Sequence, residues 1–270
     1  MSERLRTPIG SDEIERLRCE VAAGCRVLAH RGLVENVLGH ISLRVDDRRA
    51  LVRCRGPEES GLRLTTPDDV RLVDLGTGAV LDDPPGRYSP PSELPIHTSV
   101  LAARPEAACV VHAHPPDVVT ASLAGIDLYP IYGAYDIPGA RLAADGIPVH
   151  PRSVLIRSGR LAAELVSSLG SARALVLAGH GVVTTGDGVA DAVLRAIQVD
   201  TLARMHLRVR WAGATPAPVP AADLAELPDL GAGLNLEALW RHHVAALDHD
   251  DLGPEPGRPR SAEGAADGDD

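Results

Sequence analysis

Residues 110–119 read VVHAHPPDVV. Val110 and Val111 are apolar and β-branched, His112 and His114 stand one residue apart, and Pro115 and Pro116 follow at once. β-branched residues favour a strand, and two successive prolines cannot continue its hydrogen-bond ladder. The segment AACVVHAH therefore reads as a strand that stops at His114. Residues two apart on a strand share a face. Two imidazoles so placed can converge on one cation, with metal–nitrogen bonds of about 2.0–2.1 Å. Alone, the pair fits equally well one histidine satisfied in the core and another at a strand end.

Upstream of this strand, PPSELPIHTSVLAARP predicts a helix with Ser92 as cap and Glu93 in its first turn. Downstream, DVVTASLAG predicts a helix starting after the prolines, and GRLAAELVSSLG an amphipathic one. ARALVLAGHG reads as a buried strand running into a glycine turn that carries His180. VADAVLRAIQVDTLARMHLRVRW is a long helix.

Toward the N-terminus, SDEIERLRCEVAAGCRVLAHRG has an apolar stripe of Ile14, Leu17, Val21, Cys25 and Leu28, with Asp12 and Glu15 at capping-box spacing and Gly32 as a stop. HISLRV alternates, which places His40, Ser42 and Arg44 on one strand face; ALVRCR is a further strand. TTPDDV is a helical turn capped by Thr66, and RLVDLGTGAVL predicts two strands around a glycine turn. Strands and helices mix without a compositional break. The expected architecture is one α/β domain with a layered sheet over residues 1–249, including an Ala/Pro/Gly-rich connector at about 212–233 and a short helix in NLEALWRHHVAALD. Residues 250–270 have almost no large apolar side chain and read as a disordered acidic tail.

Bulk composition narrows the partners. Among 270 residues there is no Phe and aromatics make up 2%, which argues against stacking on nucleic-acid bases. The formal net charge of -10 argues against a phosphate backbone or an anionic membrane surface. The four cysteines form no C-x-x-C pair, the N-terminus MSERLRTPIG has no apolar stretch, and no run is long enough to span a bilayer. A cytoplasmic protein acting on a small molecule is expected.

His180, between Gly179 and Gly181, supplies a third imidazole at a strand end, and Glu93 a carboxylate. Three histidines and a nearby carboxylate form a donor set for a catalytic divalent cation. The carboxylate can complete the shell or move protons. Arg53 and Arg55 offer guanidinium forks suited to a planar carboxylate, or equally an exposed strand edge. Tyr132 and Tyr135 are candidate substrate contacts or loop packing.

PPSELPIHTSVLAARPEAACVVHAHPPDVVTASLAG followed by LAGHGVVTTGDGVADAVLRA, with GHISLRV and LTTPDDVRLVDLGTG before them, resembles the class II aldolase/adducin family over roughly residues 11–211. The resemblance implies a three-layer α/β/α sandwich around a central mixed sheet, and a homotetramer with sites at subunit interfaces. It implies one divalent metal ion per subunit (zinc, manganese, cobalt or iron) held by His112, His114 and His180, with Glu93 as ligand or acid/base. His40 stands where the family's sugar-phosphate aldolases carry an asparagine, and no T-P-S-G phosphate loop follows. These departures are similar to the family's decarboxylase branch. The implied function is a metal-dependent carbon–carbon lyase that decarboxylates a hydroxylated aromatic or hydroxy/oxo acid through a metal-stabilised enolate. In that reading Glu93 or His40 protonates carbon, and Arg53, Arg55, Ser42 and Tyr132 contact the substrate. The alternatives are an aldolase on a hydroxy-carbonyl compound, a non-haem Fe(II) oxygenase and a non-enzymatic adducin-like module.

Overall fold

In the computed structural model, which describes residues 10–84 and 86–247, the long helix read at the N-terminus is α1, Ser11–His30. Strands β1 (His40–Arg44), β2 (Arg49–Arg53) and β3 (Val70–Asp74) follow. Next come α2 (Leu94–Ala103), β4 (Cys109–Ala113) and α3 (Pro116–Leu123). They lead to α4 (Ile137–Leu142), β5 (Val149–His150) and α5 (Gly159–Leu169). A hairpin of β6 (Ala174–Leu177) and β7 (Gly181–Gly186) precedes the long helix α6, Val189–Trp211. The last described elements are α7 (Ala221–Glu226), a π-helical stretch Gly233–Ala238, and α8 (Leu239–Ala246).

The strands form one seven-stranded sheet in the order β3-β2-β1-β4-β7-β6-β5. All neighbours are antiparallel except β5 and β6. Alternation along the strands sorts two cores. Ile41, Leu43, Val111 and Val182 face α1, α3 and α6, where they meet Val21, Leu28, Val118 and Val193. Val52, Val110, Leu175 and Val183 face α2 and α5, where they meet Ile96, Val100 and Leu165. This is the expected α/β/α sandwich. Burying one such side chain is worth about 1.5–3 kcal/mol, so the register is strongly held. In that register His40 lies opposite His112 and Ser42 opposite Val110. His40, Ser42 and His112 therefore share the α2 side of the sheet.

Several local expectations need correction. The cap of α1 is Gly10, with no side-chain bond, and Asp12 sits inside the first turn rather than in a capping box. The cap of α2 is Glu93 itself, not Ser92, so Glu93 precedes the first turn instead of lying in it. After β3 the segment near Val80 makes only an isolated bridge to Val73, because the tight turn at Asp74–Gly78 leaves too short a return for a full strand. The 212–233 connector contains α7. The turn at Pro67–Asp69 is as expected, with the Asp69 carboxylate accepting from the Thr66 N–H at 2.8 Å. The proposed acidic tail lies outside the described residues. Among the described residues, no helix is long and apolar enough to cross a membrane.

Candidate active site

β4 ends where the sequence requires. Pro115 caps α3 and Pro116 opens it, while the His114 N–H is held by the Leu33 carbonyl at 3.0 Å. His180 enters from the β6–β7 turn. Its N–H bonds to the Leu177 carbonyl at 3.0 Å, and Gly179 takes the left-handed φ of +62° that the turn needs. A Cβ on Gly181 would collide with the Ala113 carbonyl and stand 3.0 Å from His114 Cδ2. The absence of a side chain there lets the His180 turn close against the end of β4.

One ligand atom from each of Glu93, His112, His114 and His180 lies within 4.8 Å of the other three. The three rings form a near-regular triangle, with centroids 4.7 Å apart for His112–His114 and 4.9 Å for the other two pairs. His112 Nε2 is 2.8 Å from His114 Nε2. Glu93 Oε2 stands 3.4 Å from His112 Nε2 and 3.6 Å from His180 Nε2, and its Oε1 accepts from the Ile156 N–H at 2.8 Å. Burial raises the pKa of the Glu93 carboxyl. The contacts with His112 and His180 outweigh burial and hold it well below the usual carboxylate range. Burial, reinforced by His112 and His180, pushes His114 down to about 3. His114 is therefore neutral at ordinary pH, the form in which an imidazole can bind a metal.

This donor set fits a divalent cation. His112 Nδ1 faces the Val182 carbonyl at 3.0 Å and donates to it, so Nε2 presents a lone pair to the cluster. Among the described residues, neither ring nitrogen of His180 has a hydrogen-bond partner, although both are buried. Buried polar atoms are rarely left unpaired. Converging lone pairs and a carboxylate repel one another unless a cation sits among them.

The other expected site residues divide into two sets. His40 and Ser42 lie beside the cluster: the His40 ring is 5.0 Å from that of His112, centroid to centroid. A residue the sequence reading passed over, His97 on α2, joins them. His97 Nε2 lies 2.7 Å from His40 Nδ1, and His97 Nδ1 lies 2.6 Å from Ser42 Oγ. Its one sequence signal is the four-residue spacing from Glu93, which sets both on one helix face. Arg53, Arg55 and Tyr132 make no hydrogen bond or ring contact with the four cluster residues. Arg53 is buried, with both guanidinium arms on Glu59, one at 2.8 Å. Arg55 is exposed, and its backbone bridges to Ser89. Tyr132 packs on Tyr135 at 5.3 Å, and its buried hydroxyl has no partner among the described residues.

A model of the class II aldolase and adducin N-terminal domain matches residues 19–207. The chain belongs to the class II aldolase and adducin family. It is 54% identical over 227 residues to a 3,4-dihydroxyphthalate decarboxylase of Terrabacter sp. strain DBF63, a match covering 84% of this chain and 95% of that one. It is 52% identical to the protein of that name from Arthrobacter keyseri, over 84% and 92% of the two chains. A solved aldolase II superfamily protein from Pseudomonas syringae superposes with a TM-score of 0.73 at 21% identity, over 88% and 94% of the two chains, which bears on fold alone. The chain is an enzyme of the lyase class, with a Glu/His cluster able to hold a divalent cation.

Proposed function

We propose that this enzyme decarboxylates a hydroxylated aromatic acid, with 3,4-dihydroxyphthalate as the first substrate to test. The observation that carries this reading is the identity above 50% with two 3,4-dihydroxyphthalate decarboxylases over more than nine-tenths of their lengths, in a chain that brings Glu93, His112, His114 and His180 together. His112, His114, His180 and Glu93 would hold the divalent cation. Bound there, it supplies a Lewis acid that stabilises negative charge developing on a substrate oxygen.

Loss of CO2 leaves an electron pair on the ring carbon, and one proton must reach that carbon. The substrate's own hydroxyl releases a proton on ionisation, Glu93 or His40 carries it to the carbon, and solvent restores the hydroxyl. A second substrate carboxylate needs a cationic partner. Arg55 is the exposed candidate; Arg53 would serve only by exchanging Glu59 for the substrate. Ser42 contributes through His97, and Tyr132 offers a buried hydroxyl for a substrate oxygen. A homotetramer with sites at subunit interfaces completes the proposal, and light scattering during gel filtration reads its mass.

The deciding experiment incubates the purified, metal-analysed protein with 3,4-dihydroxyphthalate and related hydroxylated aromatic acids. The expected outcome is stoichiometric CO2 release that stops with chelator and returns with added metal. Aldehyde release without CO2, or turnover indifferent to chelation, would overturn the reading.

A further inference from the structure

The buried chain Ser42–His97–His40 lies outside the Glu/His cluster, and its hydrogen-bond polarity is decidable. Ser42 and His97 are fully buried, and His40 is 6% exposed. A hydroxyl has one proton to donate, and a buried donor without an acceptor costs about 1–3 kcal/mol, more than an idle lone pair. Among the described residues, the single side-chain hydrogen bond of Ser42 Oγ is to His97 Nδ1. Ser42 therefore donates, and His97 Nδ1 accepts. A neutral imidazole that accepts at Nδ1 carries its proton at Nε2. His97 Nε2–H then donates to His40 Nδ1, and His40 in turn carries its proton at Nε2.

We infer that His97 is a positioning residue that locks His40 as a neutral Nε2–H donor beside the Glu/His cluster, aimed at a substrate oxygen. His40 would neither take nor give a proton. It would hold a hydrogen bond to the oxygen on which charge develops, a service pre-organised donors perform without reorganisation during the reaction. Proton delivery to carbon then falls to Glu93. The neutral state fits the geometry: the chain is buried, and its hydrogen bonds run from a hydroxyl through one imidazole to the next, with no carboxylate among them. The packing supports the geometry as well. His40 and Ser42 sit two apart on β1, and His97 reaches both from the overlying α2, so one imidazole spans the two strand positions.

This inference rests on the decarboxylase reading for its kinetic part but not for its structural part, and the test separates them. Long-range proton–nitrogen NMR of the zinc-loaded protein reports which nitrogen of His40 carries the proton. The expected spectrum has N–H character at Nε2 and a bare Nδ1; the opposite assignment overturns the inference whatever the substrate is. His97→Leu removes both hydrogen bonds. It is expected to lower kcat about tenfold to hundredfold, the usual range for lost supporting partners, with KM within about twofold and metal content unchanged. His97→Gln, whose amide accepts at one end and donates at the other, is expected to recover most of kcat. A folded, metal-loaded His97→Leu protein with wild-type kcat would refute the positioning role. If wild-type protein releases no CO2 from any hydroxylated aromatic acid, the decarboxylase reading fails, and the His40 spectrum alone decides the inference.

Discussion

His114 is the candidate ligand most open to a clean test, because it lies one residue past the end of β4 and supports little of the core. His114→Ala removes one of three imidazoles from the cluster. The expected result is loss of bound metal by elemental analysis and loss of turnover, with a far-ultraviolet spectrum like that of the wild type. Retained activity would count against the cluster as the reaction centre. Arg55→Ala tests the carboxylate partner: a guanidinium–carboxylate bond to a charged ligand is worth about 1.5–3 kcal/mol, so KM is expected to rise by at least tenfold with kcat little changed. At this scale the histidine pattern was legible in the sequence. H-x-H at a proline-terminated strand and G-H-G after a buried strand name their own positions. Arg53 was not legible, because the partner that occupies its guanidinium, Glu59, lies in a loop with no periodic signal.

At the scale of elements, two devices bring the cluster together. The β6–β7 turn depends on Gly181, where any side chain meets the Ala113 carbonyl. Gly181→Ala is expected to displace the His180 turn from β4. Overpacking of this kind costs about 1–3 kcal/mol, so thermal unfolding should come earlier and metal affinity should fall together with it. An unchanged melting temperature with unchanged metal content would show that the turn closes in another way. The second device is the start of α2. Glu93 makes no cap hydrogen bond, so its carboxylate is left for the histidines while the Ile156 N–H fixes its other oxygen. The sequence placed the helix correctly but assigned the cap to Ser92. Capping residues are recognised by type, and Glu93 is outside the preferred set. His97 escaped notice because a histidine inside a helix has no meaning until the strand beneath it is known.

For the molecule as a whole, the sheet register decides which side chains meet, and the two cores decide how firmly. Away from the cluster, α8 carries a titratable group that links the C-terminal region to pH. Burial, with the positive charge of Arg31 and neighbouring His242 and His30, pushes His243 down to about 4. In the unfolded chain an ordinary histidine titrates near 6.5. Between about pH 6.5 and 4 the unfolded state therefore binds a proton that the folded state refuses, so stability is full above this window and falls as pH falls through it. Each unit of depression is worth at most about 1.4 kcal/mol. Thermal melts from pH 7 to pH 4 should show a smaller drop in melting temperature for His243→Gln than for wild type. Equal slopes would mean that α8 opens before His243 titrates.

Apart from the second strand expected after β3, the strand and helix types read from the sequence, the two-fold alternation that put His40 with Ser42, and the ends of β4 and α6 all follow from local chemistry. Period, β-branching and proline act within a few residues, so they can be read along the chain. The convergence of Glu93 with three histidines and the Ser42–His97–His40 chain depend on contacts between residues far apart in sequence. They exist because antiparallel register sets β1 beside β4 and because α2 packs across both. Those placements come from burying two apolar faces at once, a condition that no single segment carries.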